Sequence, residues 1–290
     1  MKVKKILYCL FVFFTVSYVS AQDDLLNQLD TIKSKDKDIE MAAFKGLQIC
    51  NMQSTKLPVK GEFYFVVSHR FGDLTEGINN FFGLDNALTK IGGIYGVTNW
   101  LAISAARHTY NKTYEMGAKY KFANQEVDGF PLTIVGYNTV DINSELKKDE
   151  NLPGLEFKNR LAYTTQLLVS RKFSESLSFE LAPIWVHKNL YDGIEDQKDL
   201  LLLGAGGRCK ISKRLSINIE YAGRVNLPDE FNSSFNNPLS IGLDIETGGH
   251  VFQLVFSNSQ PMNDVAVFSN TSGDWNGGGI YFGFNMYRVF

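Results

Sequence analysis

Residues 215–222 read Leu-Ser-Ile-Asn-Ile-Glu-Tyr-Ala, in which apolar side chains alternate with polar or small ones. Successive side chains of a β-strand point to opposite faces, so this period of two predicts a strand with one apolar and one polar face. The same alternation occurs in residues 114–121 and 239–245. Each of these strands is therefore expected to lie between an apolar environment and an aqueous one.

The pattern recurs along the chain in segments of about ten residues, the length of a transmembrane strand. The predicted strands are 61–71, 90–98, 100–109, 114–123, 130–141, 157–173, 177–190, 198–212, 215–225, 237–247, 250–259 and 279–290. Tight turns alternate with long polar loops, as periplasmic turns alternate with outer loops in bacterial barrels. The tight turns are 97–100, 174–176, 212–214 and 247–249, and the long loops are 142–156, 226–236 and 260–278. A thirteenth candidate, Phe44–Gln53, is left out of the wall because such barrels have an even strand number.

These features predict an all-β fold, a single antiparallel transmembrane β-barrel of about 12 strands over residues 61–290. After the N-terminal stretch no apolar run approaches the ~20 residues of a transmembrane helix, so a membrane location requires a closed barrel. The alternative is a soluble periplasmic β-sandwich, whose strands also alternate. The many long strands and the 22 Phe, 13 Tyr and 25 Gly residues favour the barrel.

The N-terminus has the pattern of a secretory signal peptide. Lysines at positions 2, 4 and 5 precede an apolar stretch at 6–19 and the small residues Ser20 and Ala21. This pattern predicts a signal over residues 1–21 and export to the bacterial outer membrane. The chain has 29 basic and 31 acidic residues, three of the basic ones in the signal, which argues against a nucleic-acid partner.

Residues 22–60 are predicted to be a short periplasmic N-terminal segment. Leu25, Leu26, Leu29 and Ile32 fall at helical spacing in a charged background, which is typical of an amphipathic helix or a mobile tail. A second short helix is predicted at 81–88, within the first outer loop. That loop is expected to pack on the rim or to fold inward as a plug.

The last strand carries an expected assembly signal. Phe282, Phe284 and Met286 alternate with polar or small residues, and Phe290 is the final residue. A terminal aromatic residue on such a strand resembles the signal read by the barrel-assembly machinery. Arg288 departs from that pattern on the apolar face, where a long basic side chain can reach water at the rim.

Several further stretches carry a family resemblance. They are His69-Arg70-Phe71-Gly72, Phe82-Gly83-Leu84-Asp85, Tyr95-Gly96-Val97-Thr98-Asn99, Gly249-His250-Val251-Phe252-Gln253-Leu254, Asn258-Ser259-Gln260-Pro261-Met262, Gly273-Asp274-Trp275 and Tyr281-Phe282-Gly283-Phe284-Asn285. In this order they resemble a family of outer-membrane β-barrels of unknown function common in Bacteroidetes. The resemblance implies the fold and the localisation, and it implies no activity.

Strand parity predicts which charged residues face the lumen. The bases are Arg70, Lys119, Lys121, Lys158, Arg160, Lys172, Lys188, Arg208, Lys210 and Arg224, and the acids are Glu62, Glu115, Glu180 and Glu220. Ten bases against four acids indicate a positive lumen that favours small anionic solutes. The alternative is that several bases lie at the rims and the others pair with acids to fill a narrow barrel.

Other residue types give weaker signals. Ser104 and His108 share a face but lie about 13 Å apart along a strand, too far for a catalytic pair. Cys50 and Cys209 are expected to be unpaired apolar fillers rather than a disulfide. Aromatic residues near strand ends are expected to form interfacial girdles, or alternatively a sugar-binding platform. They are Phe71, Trp100, Tyr110, Tyr163, Trp185 and Tyr287.

The sequence therefore predicts a passive or selective channel for small solutes, without a cofactor, in contact with outer-membrane lipid. The alternative is a non-conducting barrel with a filled or plugged lumen that serves assembly or surface interaction. An outer-membrane enzyme is the third possibility. Pore size does not distinguish an open channel from a filled barrel, because twelve strands enclose a lumen between that of a packed eight-stranded barrel and an open porin.

Overall fold

Twelve antiparallel strands, each paired with its neighbours in sequence, close into a barrel when the first strand pairs with the last. The computed structural model describes residues 42–150, 152–193, 196–226, 234–247 and 250–290. The strands are β1 (Phe63–Asp73), β2 (Leu88–Gly96), β3 (Leu101–His108), β4 (Thr113–Ala123), β5 (Thr133–Asn143), β6 (Leu161–Lys172), β7 (Leu177–Lys188), β8 (Asp199–Lys210), β9 (Leu215–Arg224), β10 (Leu239–Thr247), β11 (His250–Ser257) and β12 (Tyr281–Val289). The predicted fold class is confirmed. The expected signal peptide, the helix at 25–32 and the turn at 248–249 lie outside the described residues.

The seam of the barrel lies between β1 and β12, where Val66 pairs with Tyr287. The predicted strand ends differ from the observed ones by a few residues, except at β6. This strand was expected to begin at 157, but a 3₁₀ turn, Phe157–Arg160, precedes it. Reciprocal hydrogen bonds between Glu156 and Asn159 cap that turn and hold it out of the sheet.

The outward face of the wall is apolar and exposed, and the inward face is polar and buried. On β7, Leu177 and Phe179 are 50% and 42% exposed, whereas Ser178 and Glu180 are 3% and 0% exposed. A continuous apolar band of this kind is stable when it faces lipid. The alternation that predicted the strands therefore also sets the direction of the side chains.

The connections differ in length between the two ends of the barrel. The links 97–100, 173–176 and 211–214 are short and lie at the end where β1 begins. Because both termini of bacterial barrels are periplasmic, this is the periplasmic end. The link 124–132 is a longer periplasmic connection, and 109–112 is a short outer one.

The first outer loop differs from its prediction. A 3₁₀ helix spans Leu74–Asn80, and turns rather than a helix follow over 81–86. Phe81 and Phe82 have left-handed backbone conformations, which are incompatible with a helix there. Both side chains are more than half exposed, so the loop does not fold inward as a plug.

Among the residues that the structure describes, no helix is long and apolar enough to cross a membrane.

Two other segments fill the lumen. Residues 43–57, here called the inner hairpin, rise from the periplasmic end and reverse between Gln48 and Gln53, which form an antiparallel bridge. Residues 258–271, here called the outer plug, descend from the outer end and contain the short helix α1 (Asp264–Ser269). Residues 22–60 were predicted to be periplasmic, which is wrong for 43–57. Phe44–Gln53 was rightly left out of the wall.

Candidate functional site: the filled lumen

The tip of the inner hairpin is held by one wall carboxylate. Glu220 Oε1 accepts a hydrogen bond from the Asn51 N–H at 2.7 Å. Its Oε2 accepts from the N–H groups of Cys50 and Met52 at 2.9 and 3.0 Å. A carboxylate is the natural partner for three converging N–H groups. The tip is therefore a small anion-binding turn occupied by a side chain of β9.

The two arms of the hairpin bind other charged wall residues. Glu180 Oε2 accepts a hydrogen bond from the Thr55 N–H at 3.0 Å. The Lys119 Nζ donates to the carbonyls of Leu47 and Ser54 at 3.2 and 3.0 Å. Both charged side chains are completely buried, so these bonds compensate for the loss of their hydration.

A polar network connects the hairpin tip to the seam. Arg70 Nη2 donates to Asn51 Oδ1 at 2.9 Å, and Arg70 Nη1 donates to Asn285 Oδ1 at 3.1 Å. The Asn51 amide also donates to the hydroxyls of Ser240 and Ser257 at 3.0 and 3.1 Å. These serines begin β10 and end β11, and Ser240 pairs with Glu220 in the β9–β10 ladder, so the hairpin tip reaches the level of the middle of β9.

Inward-facing glycines make room for the hairpin tip. An added Cβ would lie within 3 Å of a hairpin side chain at three such positions on β8 and β10. The pairs are Gly204 with Met52 at 2.4 Å, Gly206 with Ile49 at 2.4 Å and Gly242 with Cys50 at 2.7 Å. The wall is thus shaped to receive this segment.

The outer plug meets the inner hairpin at Asp264. Its Oδ1 accepts a hydrogen bond from Gln53 Nε2 at 3.3 Å, and its Oδ2 accepts from Gln166 of the wall. The Asp264 N–H donates to Glu115, which also pairs with Lys90 at 3.0 Å. Burial and the nearby Glu115 raise the pKa of Asp264 to about 7. The junction of the two segments is therefore sensitive to protonation near neutral pH.

Apolar side chains close the space around these polar contacts. A buried cluster joins both segments to β5–β9. Its members are Met52, Leu57, Val135, Tyr137, Leu168, Ala182, Ile184, Val186, Leu200, Leu202, Ala222, Val265, Val267 and Phe268. The lumen is therefore packed in the described conformation.

Most of the charged residues predicted to line the lumen do point inward. Arg70, Glu115, Lys119, Glu180, Lys188, Arg208 and Glu220 are buried on the inward face. Lys121, Lys172, Lys210 and Arg224 share the inward faces near strand ends and are partly exposed. Arg224 donates to the carbonyls of Phe268 and Ser269 in the outer plug. Glu62 precedes β1 and accepts a hydrogen bond from the Val59 N–H.

Two residues were placed in the lumen wrongly. Lys158 lies in the 3₁₀ turn before β6, with its side chain 70% exposed and paired with Glu156 at 2.7 Å. Arg160, in the same turn, donates to the carbonyls of Asn143 and Leu146 at the outer rim. Both assignments assumed that β6 begins at 157, and the capped turn removes that assumption.

The sequence analysis missed several lumen residues. Lys90, Asp141 and Asp244 are buried on the inward face. Asp244 lies on the polar side of the alternation at 239–245, so the pattern contained this signal. The described wall therefore buries five bases, Arg70, Lys90, Lys119, Lys188 and Arg208, and five acids, Glu115, Asp141, Glu180, Glu220 and Asp244. The buried charges of the described wall are balanced, and the further inward bases, Lys121, Lys172, Lys210 and Arg224, lie near strand ends.

The outward face holds other predicted residues. Phe282, Phe284 and Met286 point outward, and Phe290 is 64% exposed. The expected girdle residue Tyr287 instead points inward, where its hydroxyl donates to Gln48 at 3.2 Å.

The two described cysteines are both unpaired. Cys50 is buried in the lumen and Cys209 is exposed on the outward face, so the wall separates them.

A closed wall with an apolar outside and a polar inside defines a transmembrane β-barrel. A family model described as "Membrane bound beta barrel domain (DUF5777)" matches residues 44–290, and the chain belongs to this family. The protein is thus an outer-membrane β-barrel. The match begins within the inner hairpin, so the family pattern includes most of this segment.

Several solved structures are similar to this chain. The chain is similar to the KdgM porin in complex with disordered oligogalacturonate, at 10% identity over 78% of this chain and 99% of that chain, with a TM-score of 0.51. It is similar to the NanC porin at 10% identity, over 78% and 98% of the two chains, with a TM-score of 0.49. An outer membrane channel from Pseudomonas putida F1 is 13% identical over 81% and 97%, with a TM-score of 0.48. A comparison with curated proteins found no match.

Proposed function

We propose that this protein is a channel for small solutes whose pathway is closed, in the described conformation, by the inner hairpin and the outer plug. The observation that carries the proposal is the pairing of charged wall residues with backbone groups of the hairpin. Glu220, Glu180 and Lys119 all bind hairpin backbone atoms. When the hairpin leaves the lumen, water can bind these side chains in place of the backbone atoms. The lumen then forms a polar passage.

The size of the wall supports the same conclusion. Eight-stranded barrels are filled by their own inward side chains, whereas twelve strands enclose more space. In this barrel two separate segments occupy that space, and neither belongs to the sheet. Closure therefore depends on segments that can move without breaking the hydrogen bonds between strands.

The balanced charges inside the wall argue against strong charge selectivity. The sequence predicted a preference for small anionic solutes from ten bases and four acids. Three of the four further inward bases, Lys121, Lys172 and Lys210, lie near the periplasmic ends of their strands, whereas Arg224 binds the outer plug. We expect any preference for anions to arise at this mouth and to weaken in salt.

A reversible lock on the hairpin tests the proposal. Because a Cβ at Gly242 would lie 2.7 Å from the Cys50 sulfur, Gly242→Cys should form a disulfide with Cys50. We expect this variant, with Cys209→Ser, to show no openings in planar bilayers when oxidised and to open after reduction. The Cys209→Ser protein alone should not respond to the reductant. Equal opening of the locked and reduced forms would contradict the proposal.

The second candidate function is a permanently filled barrel that serves assembly or surface interaction. The apolar packing of Met52, Val267 and Phe268 against the wall favours it, because leaving this cluster exposes apolar surface to water. A barrel that conducts neither in the locked nor in the reduced form, nor after deletion of residues 22–57, would have this role.

A further inference from the structure

A cavity of about 170 Å³ lies at the outer mouth, between the outer plug and the outer ends of β5, β6 and β7. An engineered protein cavity of about 150 Å³ holds one benzene molecule, so this space admits one six-membered ring. Its lining includes Asp141 and Asn143 of β5, Arg160 before β6, Lys188 of β7 and Asn263 of the plug. We call it the outer cavity.

Two buried acceptor atoms at this cavity have no hydrogen-bond partner among the described residues. They are Asp141 Oδ1 and Asn263 Oδ1. Both residues are 3% exposed, and the Asn263 amide donates to the other carboxylate oxygen of Asp141 at 2.7 Å. Buried polar atoms are almost always hydrogen-bonded in folded proteins. The unpaired oxygens therefore indicate a ligand that supplies donors.

The bases that line the cavity are already engaged. Lys188 pairs with Asp196, which also lines the cavity. Arg160 Nη1 donates to the carbonyls of Asn143 and Leu146 at 3.2 and 2.6 Å. A carboxylated ligand would bring further acceptors to a site whose two unpaired atoms, Asp141 Oδ1 and Asn263 Oδ1, are themselves acceptors. Hydroxyl or amino groups complement it.

We propose that the outer cavity binds a hydroxylated six-membered ring that carries no negative charge, the chemistry of a hexose or a hexosamine. The ring hydroxyls, or an amino group, donate to Asp141 and Asn263. Val265 and Ala266 of the outer plug form the apolar side of the cavity, so an occupant contacts the plug itself. The inference deepens the proposed function and rests on it for a role in solute entry.

Calorimetric titration of the purified full-length mature barrel in detergent tests the binding without measuring transport. The probes are glucose, glucosamine and galacturonate. We expect saturable binding of glucose and glucosamine, and galacturonate binding weaker by about tenfold or more. Asp141→Leu removes the acceptor with little change in volume. It should weaken glucosamine binding by about tenfold, as expected for loss of a hydrogen bond made by the charged amino group of the sugar.

Two further variants separate binding from folding. Asn263→Ala removes the second acceptor from a loop rather than from the wall, and it should weaken binding even if Asp141→Leu fails to fold. Tyr114→Phe, on the outward face of β4 and away from the cavity lining, should bind like the parent protein. Absence of saturable binding, tightest binding of galacturonate, or equal binding by the Asn263→Ala and Tyr114→Phe variants would overturn the inference.

The two proposals fail separately. A barrel that opens on reduction of the lock yet binds none of the three probes would refute the sugar site and leave the channel. A barrel that binds glucosamine but never conducts would keep the site and refute the channel.

Discussion

The backbone N–H of Asn51 donates to Oε1 of Glu220 at 2.7 Å, which joins the tip of the inner hairpin to the middle of β9. Two neighbouring N–H groups of the hairpin donate to the other oxygen of the same carboxylate. Hydrogen bonds to an ionised acceptor are roughly twice as strong as neutral ones. Glu220 is therefore the main polar anchor of the hairpin.

Replacing this anchor should release the hairpin. Glu220→Gln removes the charge and turns a donor group toward the N–H groups of the tip. The expected loss is about 1.5–3 kcal/mol, which corresponds to at least a tenfold rise in the released population. Planar-bilayer recordings should show more frequent openings. Glu175→Gln, in an exposed turn, is the control, and equal opening of the two variants would contradict the assignment.

Cys50 provides a chemical readout of the same movement. The thiol is buried, and this burial raises its pKa well above the usual value, so both access and reactivity are low. In a Cys209→Ser background, we expect a maleimide to label Cys50 slowly in the parent barrel. Labelling should be about tenfold faster with Glu220→Gln. Identical rates in both proteins would show that Glu220 does not hold the hairpin.

Opening should depend on pH through Asp264. Burial and Glu115 raise its pKa to about 7, while the neighbouring Lys90 acts in the opposite direction. Exposed Asp has a pKa of about 3.9, so the docked plug favours the protonated form of this carboxyl group. Docking of the outer plug therefore weakens as the pH rises from about 4 to about 7 and is unaffected below that range. Asp141, Gln166 and Gln53 also face this carboxyl group.

We therefore expect openings to become more frequent as the pH rises from about 4 to about 7, with little further change above that range. The Asp264→Asn variant cannot ionise at this position and should show a flatter profile. An unchanged profile would assign the pH dependence to Glu115, Lys90 or Asp141 instead.

The lipid-facing side of β9 should show a dependence on depth. Ile219 lies on the outward face near mid-strand and is 51% exposed, whereas Leu215 begins the strand at the periplasmic end. Ile219→Arg should reduce the free energy of unfolding by about 2–4 kcal/mol, and Leu215→Arg by about 0–1 kcal/mol. Denaturant unfolding from lipid vesicles measures both. A larger effect at Leu215 would mean that the depth assignment is inverted.

The wall could be predicted from the sequence because its signal is local. Alternation within β9 and β10 identifies the strands and also determines which side chains face inward, including Glu220 and Asp244. Alternation does not predict where a strand ends, because capping hydrogen bonds of the adjoining turn determine the strand ends. The capped turn before β6 moved Lys158 out of the lumen.

The filling of the lumen could not be predicted in the same way. Residues 43–57 have no period that predicts a buried element, and their partners are distant in sequence. Cys50 and Glu220, for example, are 170 positions apart. The even strand number excluded Phe44–Gln53 from the wall but did not indicate where this segment lies. Only the folded chain brings its polar groups to their partners.

The two filling segments are next in sequence to the two strands that form the seam. The inner hairpin directly precedes β1, and the outer plug lies between β11 and β12. Arg70 of β1 binds both Asn51 of the hairpin and Asn285 of β12. Pairing of β1 with β12 and docking of the inner hairpin therefore depend on the same residues. A barrel that mispairs at its seam during folding also leaves its hairpin without a complete binding site.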